Sequence, residues 1–117
     1  MIGIGMKKYF KEIPRSFKVG NNDITIKDCG DLYLEPDEQI TFITESDQRY
    51  DLARKDWGFY ATPSVNGRLK NEGFKCALVK NEFKKVYVMI VEESKLAEFN
   101  KYCKTENQDI IKWLDEM

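Results

Sequence analysis

Between Phe17 and Val91 the apolar side chains recur mainly at every second position, in short runs broken by turn-forming residues. Successive side chains of a strand point to opposite faces, so this period predicts half-buried strands. Residues 17–19 lead into Gly20-Asn21-Asn22, which tolerate left-handed backbone. Ile24 and Ile26 alternate with Thr25 and Lys27. Gly30-Asp31 predicts a turn, Leu32 and Leu34 alternate again, and Pro36-Asp37-Glu38 predicts another turn. Ile40, Phe42 and Thr44 face one way, Thr41 and Ile43 the other. Apolar groups on both faces predict a central strand. Ser46-Asp47-Gln48 reads as a hairpin loop, and Tyr50, Leu52 and Arg54 as the return strand. Residues 57–61 read as its extension, with a bulge at Gly58.

The period then changes. Thr62 is a good helix cap, Pro63 suits a first helical position, and Val65 and Leu69 sit four apart on one face. Gly73 can take the left-handed position after the last turn, so the expected helix is 63–72. Gly67 inside it costs about 1 kcal/mol relative to Ala, which predicts a close approach there by a neighbouring strand or a ligand. Residues 74–79 and 86–91 read as two further strands, the second apolar on both faces and so expected to be central. Leu96, Phe99 and Cys103 have helical spacing. Asn107 is placed to cap a second helix carrying Ile110, Ile111, Leu114 and Met117, with Trp113 near its edge. Strands, a short helix, strands and then two C-terminal helices predict an α+β fold with a mainly antiparallel sheet. At 117 residues the chain fits a single domain, residues 1–117.

Composition narrows the chemistry. With no histidine, the commonest general base, the commonest metal ligand and every Ser–His or Cys–His dyad are absent. Cys29, Cys76 and Cys103 are odd in number and widely spaced, which matches no zinc site and fits a reducing, cytoplasmic setting. Gly3-Ile4-Gly5 lacks the strand and third glycine of a phosphate loop. No catalytic set, metal or cofactor is therefore expected. Asp28, Asp31, Asp47 and Asp51 flank turns, where aspartate usually bonds local backbone. The apolar residues 1–6 are too few for a signal peptide, and no run approaches the ~20 residues that span a bilayer. A net charge of −1 supplies no global field toward nucleic acid or membrane. The charge is uneven: lysines gather near the start and around Lys75, Lys80, Lys84 and Lys85, and acids near the end. Such patches most simply form solvated faces.

The segment 54–74 is the functional candidate. Trp57, Phe59 and Tyr60 either join a core or offer flat faces to a sugar ring or a base. Amides at the expected helix start, near Ser64 and Val65, suit an anion, and Arg54 and Arg68 can grip phosphate or carboxylate. Asn66 adds a donor and an acceptor. Ligand-binding candidates are thus Arg54, Trp57, Phe59, Tyr60, Ser64, Asn66 and Arg68, for a sugar-like or anionic molecule. The C-terminal stripe either packs on the sheet or forms a homodimer through the two helices, Trp113 being its exposed edge.

The run Arg54-Lys55-Asp56-Trp57-Gly58-Phe59-Tyr60-Ala61-Thr62-Pro63-Ser64, with Gly67-Arg68-Leu69 and Gly73-Phe74-Lys75, resembles small uncharacterised bacterial proteins encoded among genes for surface-glycan or flagellin-glycan synthesis. The likeness extends over residues 10–113 and brings no catalytic residues with it. It implies a cytoplasmic accessory role in that pathway. The Trp57–Arg68 residues themselves point to a non-catalytic protein that holds a sugar-like or anionic ligand, or a partner enzyme, at that surface. Two other readings compete: a histidine-free isomerase or lyase using Asp, Tyr or Lys, and an RNA-binding module using Phe59, Tyr60 and the lysines. A shifted carboxylate in a deep pocket would favour the first. The acidic C-terminus argues against the second.

Overall fold

The computed structural model describes residues 5–117. Residues 1–4, which hold most of the apolar start and the Gly3-Ile4 part of the glycine pair, lie outside the described residues. The fold is α+β with antiparallel sheets. Its elements run β1 (Lys7–Val19), β2 (Ile24–Tyr33), β3 (Gln39–Ile43), β4 (Arg49–Lys55), β5 (Gly58–Ala61), α1 (Arg68–Asn71), β6 (Phe74–Lys80), β7 (Val86–Glu92), α2 (Leu96–Thr105) and β8 (Asp109–Trp113). They form three sheets, ordered β1-β2, β3-β4-β5 and β7-β6-β8. The chain divides into two compact units. The first comprises the residues up to Ile40 with Leu52–Tyr60, and the second Thr41–Asp51 with Ala61–Met117.

In the first unit β1 and β2 pair as a two-stranded ribbon from Lys7↔Tyr33 to Val19↔Ile24. The turn joining them lies at the predicted Gly20-Asn21-Asn22, but its left-handed positions are Gly20 and Asp23, not Asn21 or Asn22. Gly30 does not turn the chain. It lies inside β2 opposite Phe10 at φ +136°, so the strand runs unbroken through it. The register slips between Phe10 and Arg15, around Pro14, which has no N–H to give a ladder. The segment 57–61 is likewise not an extension of β4. Asp56 and Trp57 form a tight turn, and Gly58, at φ +141°, opens the separate strand β5.

In the second unit β6 is the centre. Phe74 and Cys76 pack with Leu69, Tyr50, Val65, Ile90 and Leu114. Ala77 and Val79 pack with Cys103 of α2 and with Met89, Phe99, Ile110 and Trp113. Alternation along one strand thus feeds two apolar clusters, one on each face. The expected second C-terminal helix is replaced by a strand, β8, paired antiparallel to β6 from Ala77↔Trp113 to Lys80↔Asp109. Ile110 and Ile111 are β-branched and suit a pleated surface, and Asn107, at φ +53°, turns the chain out of α2 in place of capping a helix. The homodimer surface imagined on two helices is therefore not formed as such.

Two strands written as central lie on edges. β3 is an outer strand of its sheet with Phe42 and Ile43 exposed, and β7 is an outer strand with Val86, Tyr87 and Val88 exposed. The helix expected over 63–72 shrinks to four residues preceded by Gly67, so Thr62 is no cap. Gly73 takes the left-handed position at φ +86°, and its N–H donates to the Lys70 carbonyl as predicted.

Candidate functional site

In the first unit, cross-strand pairing sets Lys7 opposite Tyr33 and Tyr9 opposite Asp31, which puts all four on one face of the ribbon. Tyr9 and Tyr33 meet edge to face at 5.4 Å. With Leu34, Glu35, Pro36 and Arg54 these residues line a cleft of about 690 Å³. That size suits a small ligand. Arg54 is held there by its backbone. Its carbonyl accepts from Asp37 N–H at 2.7 Å, and its N–H donates to the Glu38 carbonyl at 2.9 Å.

The Arg54 side chain is 31% exposed, and its closest acid, Asp56, stands 4.0 Å from Nη1. Nη1 is buried, and it donates no hydrogen bond among the described residues. With its closest acid 4.0 Å away, the exposed part of the guanidinium keeps donors for a ligand carboxylate or phosphate in the cleft.

The same hairpin carries the aromatic residues singled out in the sequence. Trp57 is 71% exposed, and Phe59 and Tyr60 are exposed too. Trp57 and Tyr60 stack, with centroids 6.0 Å apart and planes at 29°. These rings are not part of a core. Beside them Lys55 pairs with Asp37, and that bond holds the ammonium above the ordinary lysine range.

Ser64, Asn66 and Arg68 belong to the second unit. Arg68 is committed internally. Its Nη1 donates to Asp51 Oδ2 at 2.9 Å and its Nη2 to Thr62 Oγ1 at 3.2 Å, and Glu72 lies 3.7 Å away. Asp51 also accepts from Thr41 Oγ1 at 2.6 Å. The Thr41 bond first, then Arg68, hold the Asp51 carboxyl below the usual range despite its burial. The amide seat expected near the helix start is taken by Ser64. Its carbonyl accepts from Gly67 and Leu69, and its Oγ from Arg68 N–H at 3.1 Å. What approaches Gly67 is neither the strand nor the ligand expected there but this same Ser64 hydroxyl, which a Cβ would overlap. Asn66 is exposed.

Sequence reasoning missed Lys7, Tyr9, Asp31, Tyr33 and Glu35. Only the ribbon register brings them together, and the one legible trace was the alternation Asp31, Tyr33, Glu35. Among the described residues no group of three Cys, Asp or Glu could hold a metal ion, and no helix is long and apolar enough to cross a membrane. Comparison with protein-family models, with curated proteins and with solved structures found no match.

Proposed function

We propose that the protein is a non-catalytic accessory protein that binds a sugar-like molecule bearing an anionic group, in the setting of bacterial surface-glycan synthesis. The observation that carries this reading is Arg54 lining a cleft flanked by Tyr9 and Tyr33, its side chain partly exposed and its closest acid 4.0 Å away. The mixed lining suits a polyhydroxyl ligand better than a bare anion. Asp31 and Glu35 accept from sugar hydroxyls, Lys7 donates to them, the phenols cover ring C–H faces, and Arg54 takes a carboxylate or phosphate. The setting rests on the resemblance carried by residues 54–75.

The isomerase or lyase reading finds less support. The carboxylates with displaced titration, Asp28, Asp51 and Asp115, are all held below the usual range and all sit in ion pairs. None is kept protonated for acid catalysis. The RNA reading loses Lys75, which Asp115 occupies at 2.9 Å.

Calorimetric titration of the intact protein with UDP-glucuronic acid tests the proposal, since that molecule offers a sugar, a carboxylate and phosphates. Arg54→Ala is expected to weaken binding about tenfold or more and Tyr33→Ala to weaken it less, because a charge-assisted bond exceeds a ring contact. Trp57→Ala reports whether the exposed stack contributes. Wild-type heats indistinguishable from dilution, or equal affinity in the wild type and Arg54→Ala, would remove the cleft from consideration.

A further inference from the structure

The strand β7 has the composition of an interior strand and the position of an outer one. Its sequence, Val-Tyr-Val-Met-Ile-Val-Glu, contains no Pro, Gly or Lys. Its register with β6 runs without a bulge from Phe74↔Glu92 to Lys80↔Val86. Lysine, proline and bulges are the usual protections of a sheet edge, and β7 has none of them. Its side chains are open as well, with Val86 51%, Tyr87 46% and Val88 63% exposed. A strand apolar on both faces is normally flanked on both sides. Among the described residues β7 is flanked only by β6.

Charge at the two ends of β7 indicates what belongs on its free side. Lys84 and Lys85 stand just before the strand and the exposed Glu93 just after it, while Glu92 at its end is buried and paired with Lys95 at 3.6 Å. A parallel neighbour of the same sequence would set lysine against lysine and glutamate against glutamate. An antiparallel neighbour sets each basic end against an acidic one, which is the arrangement cross-strand pairs favour.

We propose that the free edge of β7 docks a second copy of this chain, the two strands pairing antiparallel about a twofold axis through Met89 so that their sheets become continuous. This register puts Val88 opposite Ile90 of the second copy, Tyr87 opposite Val91, and brings Lys85 to Glu93, each pair occurring twice by symmetry. Lys85 and Glu93 are both exposed and available. Next to Val91 a groove of about 500 Å³ runs between β7 and α2, with Met89, Phe99 and Tyr102 on its walls. Val91, Met89 and Tyr87 face the same side of the sheet, since they lie opposite Lys75, Ala77 and Val79 of β6. The Tyr87 ring of the second copy therefore arrives at the groove and covers its apolar wall. The contact uses the same patch on both copies, so it closes as a dimer and does not propagate.

Sedimentation equilibrium and native mass spectrometry of the full chain test this through two charge reversals on exposed residues. The wild type is expected to be dimeric at micromolar concentration. Lys85→Glu sets glutamate against Glu93 twice, and Glu93→Lys sets lysine against Lys85 twice. Each variant alone is expected to weaken association about tenfold or more. Mixed together, the two variants are expected to form a heterodimer preferentially, because both cross-strand pairs are then of opposite sign. Circular dichroism identical to the wild type establishes that both variants are folded. A wild type that stays monomeric to high micromolar concentration overturns the proposal. So does a dimer that neither variant weakens, or a mixture that shows no preference for the heterodimer.

Discussion

Replacing Asp115 with alanine is expected to cost about 3–5 kcal/mol, the range for breaking a buried ion pair from one side. The carboxylate is 2% exposed. Its Oδ1 accepts from Cys76 N–H and its Oδ2 from Lys75 Nζ, both at 2.9 Å. It thereby ties the single turn after β8 to the central strand β6. Lys75 would be left largely buried, with Glu116 at 3.5 Å and the Trp113 ring at 4.8 Å as its remaining partners. Cys76 would lose its acceptor. Asp115→Asn keeps a neutral acceptor for Cys76 and drops only the charge, so it is expected to cost less. Urea unfolding followed by circular dichroism gives both values. A loss below about 1 kcal/mol for the alanine variant would mean that both orphaned donors find other partners.

The same pair sets an acid limit. Burial alone would push the Asp115 carboxyl up, but the Cys76 N–H and the Lys75 ammonium outweigh it and hold it below the usual range. Asp51 is held low as well, through Thr41 and Arg68. A carboxylate depressed in the folded state contributes stability that is complete above its unfolded value and is lost as pH falls through the folded one. Stability is therefore expected to be flat through neutral pH and to fall below about pH 4. Asp115→Asn should flatten part of that fall.

What could be read from the sequence follows from how local its cause is. The turns at Gly20-Asn21-Asn22 and Ser46-Asp47-Gln48, and the left-handed Gly73, depend on a few neighbouring dihedrals, so their residue types announce them. Ile110 and Ile111 fit either period, and the open edge of β6 decides between them by pairing with β8. The two-faced apolar patterns of β3 and β7 report what a strand is suited to lie beside, and edge or centre depends on what covers it. The candidate site divides in the same way. The aromatic cluster of Trp57, Phe59 and Tyr60 is legible because these residues are near neighbours in the chain, but the turn at Asp56-Trp57 that makes a hairpin of them is not. The commitment of Arg68 was hidden because Asp51 lies 17 residues away. The cleft itself was hidden because a register, and no motif, assembles it.

Gly30→Ala is the other large effect expected, and it connects the ribbon to the cleft. Gly30 sits at φ +136°, a conformation almost confined to glycine, which alone costs another residue about 1–3 kcal/mol. An added Cβ would also overlap the Tyr9 carbonyl oxygen and lie 2.7 Å from Phe10 Cα. Both are backbone atoms of the paired strand, so no rotamer change relieves the overlap, and β1 must move away from β2. Among the described residues no third strand pairs with this ribbon to hold it in register. Gly58 provides the control. Its φ of +141° imposes a similar conformational cost, but a Cβ there meets nothing within 4 Å. Gly58→Ala therefore measures the backbone term, and the excess of Gly30→Ala over it measures the overlap. Hydrogen exchange should show the amides around Phe10 and Asp31 losing protection in Gly30→Ala and keeping it in Gly58→Ala. Because Tyr9 and Asp31 line the cleft, affinity for the ligand proposed above should fall with the same variant. Equal stability loss in the two variants, with protection retained at Phe10, would show that the ribbon absorbs a methyl group without parting.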